Sequence, residues 1–147
     1  MDKTLQKEHS RRFALLREKY AAKMESLSER EEDCKRISNN IDQLSDEIAY
    51  RLRCDMDSLR EQIATGALDP KFNSDITEME AYLHKLMVQA EEEKGRLASE
   101  IKGIRDEMAD EDIAYGHAVR SLDEEFDSRK RSGGNFSTLI WQHLLYT

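Results

Sequence analysis

The stretch Thr65-Gly-Ala-Leu-Asp-Pro-Lys-Phe-Asn-Ser-Asp75 is the only strong helix-breaking signal between two long runs of heptad-patterned sequence. Gly66 can take the left-handed backbone conformation that closes a helix C-terminus, and Pro70 lacks the amide hydrogen that a continuing helix needs. Proline also biases Asp69 away from the helical region. The stretch therefore predicts that a first helix stops near Thr65 and that the chain turns back there.

The residues after Pro70 carry the start signal of a second helix. Ser74 or Asp75 can accept hydrogen bonds from its first free amides, and Asp75-Ile-Thr-Glu78 has the spacing of a capping box. The sequence thus predicts four segments: a helix over 1–65, a hinge over 66–74, a helix over 75–131, and a Gly-Gly linker with an apolar tail over 132–147. The hinge depends on Gly66, Asp69 and Pro70.

Composition favours long amphipathic helices over a globular core. Of the 147 residues, 37% are charged, one is proline and 7% are aromatic. Such a composition can indicate disorder, but the apolar residues here recur at steps of three and four. The predicted fold class is all-α.

The first helix carries an apolar class that repeats every seven residues, at Phe13, Tyr20, Leu27, Cys34, Ile41 and Ile48. Its companion class is half basic, at Leu16, Lys23, Arg30, Ile37, Leu44 and Arg51. After Ile48 the pattern slips by one residue to Leu52, Met56, Leu59 and Ile63, which predicts a stutter that locally unwinds the supercoil. Cys34 is expected in the apolar seam, and Cys54 at the surface.

The second helix carries a matching seam, first at Ile76, Met79, Leu83, Leu86, Ala90, Leu97 and Ile104, then at Ile101, Met108, Tyr115, Val119, Leu122 and Phe126. A reversal near Asp69 and Pro70 places these residues opposite the seam of the first helix, for example Phe13 opposite Phe126. It also brings Arg60 beside Glu80 and Glu47 beside Lys94. The sequence therefore predicts a long antiparallel coiled-coil hairpin; the alternative is a parallel dimer of extended chains.

One zone of this hairpin is expected to be weak, because acidic residues crowd both arms at 29–33 and 106–112 and leave Leu27 and Met108 with poor apolar partners. This zone is either a flexible point that docks a basic partner or an ordinary solvated acidic face. Apolar residues off the seam, among them Leu15, Tyr50, Tyr82 and Ile113, predict a second face that self-association or a partner helix pair covers.

Several function classes are disfavoured by the sequence. The formal net charge of −8 disfavours binding to nucleic acid. The four histidines share no ligand spacing with a cysteine or with each other, residues 106–112 do not follow an EF-hand, and no phosphate loop or catalytic grouping is recognisable. We expect no metal, no cofactor and no enzymatic activity. The N-terminus lacks a secretion signal and no run is long enough to span a membrane, so we expect a cytoplasmic protein.

Two regions are candidate binding sites for a protein partner. Residues 1–19 hold six Lys or Arg against three acids, and the hairpin brings the second basic run beside them, which gives a basic end at Arg11, Arg12, Arg129, Lys130 and Arg131. The tail has no Asp, Glu, Lys or Arg, holds the only Trp, and offers Phe136, Leu139, Ile140, Trp141, Leu144, Leu145 and Tyr146. We expect it to dock onto a partner; folding back onto the basic end, or contact with a membrane surface, are the alternatives.

These features together favour a non-enzymatic structural adaptor: a rod-like coiled-coil spacer, self-associating or joined to coiled-coil or filament-associated proteins, on a cytoskeletal, ciliary or kinetochore assembly. The paired arms are also similar to those of prefoldin subunits, a resemblance that implies a chaperone able to hold unfolded clients. It covers only the arms, since the connector here has no strand-forming segments. A membrane-surface tether that uses the tail is a third hypothesis.

Overall fold

The computed structural model describes residues 2–132 of the chain. Helix α1 spans Asp2–Ala64 and helix α2 spans Asn73–Ser132, and a short 3-10 turn, Pro70–Phe72, precedes α2. Residues 2–132 contain no β-strand. The two helices run antiparallel and pack against each other, which confirms the predicted all-α helical hairpin.

The reversal after α1 depends on Gly66, whose φ of +82° lies in the left-handed region. The Gly66 amide donates to the Ile63 carbonyl over 3.1 Å, and the Leu68 amide donates to the Gln62 carbonyl, also over 3.1 Å. Both acceptors belong to the last turn of α1, where carbonyls have no partner within the helix. Gly66 thus has the predicted conformation, in which a β-carbon would be strained.

Asp69 caps the turn that leads into α2. Its backbone is extended, and its Oδ1 accepts a 2.9 Å hydrogen bond from the Lys71 amide. Pro70 follows at the first position of the turn, where a missing amide hydrogen removes no bond.

Helix α2 begins at Asn73, two residues before the predicted start, because the capped turn runs directly into it. Asp75 consequently lies inside the first turn of the helix. The Ser74 hydroxyl donates to the Lys71 carbonyl over 3.0 Å. The prediction that Ser74 or Asp75 caps α2 is therefore wrong, and Asp69 carries out the capping earlier in the chain.

The helices form two compact units. The hinge unit comprises residues 30–103 and contains the reversal. The terminal unit comprises residues 2–29 and 104–132 among those described.

The core of the hinge unit is formed by five buried apolar side chains: Cys34, Ala49, Met56, Ile76 and Leu97. Arg60 forms the predicted ion pair with Glu80 across the helices. The predicted pair of Glu47 and Lys94 is wrong, because Lys94 Nζ lies 2.7 Å from Asp42 Oδ1 and 3.3 Å from Glu91 Oε1.

The terminal unit is centred on Leu27 and Ile104, each only 1% exposed, and on buried Leu122. The expectation that Leu27 has a poor environment is wrong. Two ring contacts join the helices in this unit: Tyr20 stacks on Tyr115, and His9 lies against Phe126, each with centroids 4.3 Å apart. The Tyr20 hydroxyl also donates to the Asp112 carboxylate, which raises the pKa of Tyr20.

The predicted seam of α2 is confirmed, since every one of its apolar members is buried or half-buried. On α1 the first class is confirmed up to Ile41, but the companion class is wrong from Lys23 onward. The inward companions are Met24, Glu31, Ser38 and Ser45, each one residue later than predicted. Ile37, Leu44 and Ile48 are instead 45%, 59% and 37% exposed.

The companion class is wrong because the inward positions of α1 advance by two consecutive four-residue steps at two places along the helix. The seam advances Leu16, Tyr20, Met24 in the terminal unit and Ile41, Ser45, Ala49 in the hinge unit. The predicted stutter therefore starts at Ile41 instead of after Ile48, and the stutter at Tyr20 was not predicted. Helix α2 takes matching steps within the same units, at Glu111, Tyr115, Val119 and at Leu86, Ala90, Lys94. Because both helices change step together, their seams stay in contact.

The hinge geometry gives opposite expectations for the same substitution at two glycines. Neither Gly66 nor Gly95 has an atom within 4 Å of an added β-carbon, so backbone conformation alone decides the effect. Gly66→Ala should destabilise the hairpin by about 1–2 kcal/mol because of its left-handed φ. Gly95→Ala should stabilise it by up to about 1 kcal/mol, because alanine favours the helix.

Urea unfolding followed by circular dichroism measures both changes. The two variants are each other's control for the loss of a glycine. Equal signs for the two changes would contradict the assignment of Gly66 as the residue that reverses the chain.

Candidate interaction surfaces

The basic residues of the terminal unit divide into paired and exposed groups. Arg12 Nη1 lies 3.1 Å from Glu125 on α2, and Arg129 lies 2.8 Å from Glu125 and 3.5 Å from Glu8 on α1. Glu125 thus accepts from both helices. Two of the predicted basic-end residues, Arg12 and Arg129, therefore hold the helices together.

His9 adds to this cluster from α1. Its Nε2 lies 3.0 Å from Asp123 Oδ1, and its ring packs on Phe126 at 4.3 Å. We define the helix-joining residues Glu8, His9, Arg12, Asp123, Glu125, Phe126 and Arg129 as the terminal clasp. The sequence places Phe13 opposite Phe126, whereas the structure packs the His9 ring on Phe126. His9 and Glu125 carry no sequence signal that marks them as partners at this level.

The hydrogen bond between partly buried Arg12 and Glu125 shifts the pKa of both side chains. The hydrogen bond from Arg12 lowers the pKa of Glu125, with the charges of Arg12 and Arg129 acting in the same direction and desolvation opposing them. The hydrogen bond to Glu125 correspondingly raises the pKa of Arg12. The clasp is therefore a set of charged pairs adapted to fix geometry, and its cations are directed at carboxylates of the same chain.

The other predicted basic-end residues, Arg11, Lys130 and Arg131, are exposed. Arg11 continues a row with Lys3 and Lys7, which recur every four residues on α1 and are also exposed. Lys130 and Arg131 lie in the last turn of α2, where cations are favoured by the helix dipole. These five cations form the exposed basic patch of the terminal unit.

The predicted tail site, from Phe136 to Tyr146, lies outside the described residues. The predicted hinge residues Gly66, Asp69 and Pro70 are brought together in the reversal of the hinge unit, where their roles are in the backbone. Hinge and basic patch belong to different units.

The hinge unit holds a polar layer that sequence reasoning missed. Ser45 is buried, and its hydroxyl donates to the Ile41 carbonyl of its own helix over 2.7 Å. Half-buried Lys94 on α2 reaches Asp42 on α1. Its hydrogen bonds to Asp42 and to Glu91 raise the pKa of Lys94. No signal in the sequence marks this layer, because Ser45 and Lys94 are polar and interrupt the apolar period of their helices.

An exposed apolar stripe lies beside this layer on α1, at Ile37, Leu44 and Ile48. Other exposed apolar side chains are Leu15, Tyr50, Tyr82, Met87, Val88 and Ile113, several of which the sequence places off the seam. Both thiols are free, with Cys34 buried and Cys54 exposed, as predicted.

Within residues 2–132, no group of three or more His, Cys, Asp or Glu side chains is arranged to hold a metal ion. No helix among these residues has a stretch long and apolar enough to cross a membrane.

Comparison with protein-family models, with curated proteins and with solved structures found no match to this chain. The fold defines it as a two-helix antiparallel hairpin, and its function must be argued from its own surfaces.

The terminal clasp predicts an acid-dependent loss of stability. Because the folded-state pKa of Glu125 is depressed, its ion pairs stabilise the fold above the ordinary pKa of a glutamate and are lost as the pH falls through the depressed value. Glu125→Gln should lower the free energy of unfolding at pH 7 by about 0.5–1 kcal/mol, as for partly exposed pairs.

The difference between wild type and Glu125→Gln should shrink as the pH falls below about 4, near the ordinary glutamate pKa. Urea unfolding at a series of pH values measures it. Glu124→Gln, at the exposed neighbouring position, is the matched control and should show a smaller, pH-independent change. A Glu125 effect that stays constant down to pH 2 would contradict the clasp.

Proposed function

We propose that this protein is a non-enzymatic structural adaptor, a two-helix spacer that joins a larger assembly through its terminal unit. The observation that carries the proposal is the division of cations in that unit. Arg12 and Arg129 pair with Glu125, while Arg11, Lys130 and Arg131 are exposed. A braced end that presents a separate basic patch supports docking onto an acidic protein surface.

The C-terminal tail supplies the second half of the proposed contact. It follows directly after the basic run 129–131, and its residues Phe136, Leu139, Ile140, Trp141, Leu144, Leu145 and Tyr146 offer the apolar side chains that anchor interfaces. In this proposal the tail provides affinity, and the basic patch provides orientation and association rate. A coiled-coil or filament-associated protein of the cytoplasm, including the cytoskeleton, is the expected partner class.

The test uses the full chain immobilised through an affinity tag, with partners cross-linked in lysate and identified by mass spectrometry. The tail variant Trp141→Ser with Leu144→Ser should lose the specific partner. The patch variant Lys130→Glu with Arg131→Glu should bind that partner about tenfold more weakly and with altered salt dependence. Lys102→Glu, an exposed cation of the hinge unit, is the charge-matched control and should bind normally.

Two further measurements separate this proposal from its alternatives. Tail-dependent binding to vesicles of phosphatidylserine and phosphatidylcholine, read from Trp141 fluorescence, would favour a membrane tether. Suppression of aggregation of a thermally unfolded client enzyme would favour a chaperone. A partner set that is the same for all three variants would contradict docking through the terminal unit.

A further inference from the structure

The exposed stripe Ile37, Leu44 and Ile48 has the spacing of a second coiled-coil seam on α1. With half-buried Ile41 between them, the four residues follow steps of four, three and four, as the a and d positions of a heptad do. Heptads position these residues to be buried against a helix. In the hinge unit that helix is not α2.

The hairpin instead buries smaller and more polar residues of the same helical stretch. Ser38, Ser45 and Ala49 face α2, while the larger apolar side chains lie outside. Burying the outer side chains would remove more apolar surface from water than burying serine or alanine does. Helix α1 therefore carries two adjacent seams that share half-buried Ile41, one narrow and internal, the other apolar and external.

Helical geometry places the two seams on different faces. At 100° per residue, the stripe is centred roughly 100° around α1 from the line of Ser38, Ser45 and Ala49. One helix packs on one such line, so α2 cannot cover both. A further helix has to lie on the stripe for its side chains to leave water.

The charged residues beside the stripe indicate which helix would pack on it. Asp33 and Arg36 lie at its N-terminal end, and Glu47 and Arg51 lie at its C-terminal end, all on the flank away from the internal seam. Each end thus carries one acid and one base, and at the N-terminal end the two already pair within the helix, with Arg36 Nη2 2.9 Å from Asp33 Oδ1. When the stripe meets an inverted copy of itself, the acid of each end faces the base of the other.

We infer that the stripe Ile37, Leu44 and Ile48 binds a second copy of this chain, in antiparallel orientation about a two-fold axis between residues 42 and 43. Ile37 of one copy packs on Ile48 of the other, and Ile41 packs on Leu44. Asp33 of one copy then faces Arg51 of the other, and Arg36 faces Glu47. The contact is isologous, so each pairing occurs twice.

A parallel, in-register pairing is disfavoured by the same residues. It would place Arg51 of both copies side by side at the C-terminal end of the stripe, where like charges repel. This self-association goes beyond the proposed adaptor role, uses a different unit, and is tested with no other protein present.

Sedimentation equilibrium of the purified full chain tests the inference. Wild type should be in a monomer–dimer equilibrium, and Leu44→Glu should raise the dimer Kd by at least roughly tenfold while helix content is retained. The matched control is Tyr82→Glu, because Tyr82 on α2 is 58% exposed and Leu44 is 59% exposed. A wild type that stays monomeric, or a dimer that survives Leu44→Glu, overturns the inference.

A charge swap keeps the test valid if Leu44→Glu unfolds. Arg36→Glu and Glu47→Arg should each weaken the dimer, and the double variant should restore it. Failure of the double variant to restore it overturns the proposed register. Loss of the dimer in Trp141→Ser would also overturn the inference, because it would identify the tail as the occupant of the stripe.

Orientation can be measured on the wild-type sequence, because Cys54 is exposed and Cys34 is buried. A nitroxide on Cys54 of each copy should give a distance of roughly 35 Å, from the 23 residues that separate the two labels along the antiparallel axis. A distance below about 20 Å would correspond to parallel helices and would overturn the antiparallel dimer.

Discussion

A core built by two helices is a single seam wide, and this constraint governs the whole hairpin. Within residues 2–132 no third long helix or strand fills a gap, so each step of three or four residues on one helix requires a matching step on the other. The chain meets the constraint by stuttering on both helices within each unit. Where the steps coincide, the seam can include Ser45 and Lys94 because their polar groups bond to the Ile41 carbonyl and to Asp42.

The fold was largely predictable from the sequence, since its determinants are local. Gly66 and Pro70 predict the reversal through their backbone chemistry alone. The α2 seam is apolar enough that its period in the sequence identifies it. The seam of α1 was predicted only in part. Its inward companions Glu31, Ser38 and Ser45 are polar, whereas the residues that fit the heptad best, Ile37 and Leu44, are exposed. Periodicity identifies apolar lines on a helix but cannot say which line its own partner covers.

In the terminal unit, the sequence likewise cannot say which charged side chains pair with each other. Counting cations predicts a basic end, but only the structure separates Arg12 and Arg129, which pair with Glu125, from exposed Arg11, Lys130 and Arg131. The contact of Arg12 with Glu125 joins residues 113 positions apart, and the contact of Arg129 with Glu8 joins residues 121 positions apart. Composition alone therefore does not distinguish exposed cations that could bind a partner from cations that join the two helices.

The distance between partners along the chain has a kinetic consequence. Arg60 and Glu80 are 20 residues apart, whereas His9 and Asp123 are 114 apart. For a flexible chain, closing the longer loop costs about 1.5 kcal/mol more in conformational entropy. Folding that begins at the reversal and proceeds outward removes most of that cost, because each closed layer shortens the loop that remains. For folding in that order, Gly66 would affect the refolding rate as well as the geometry, and the terminal clasp would form after the hinge unit.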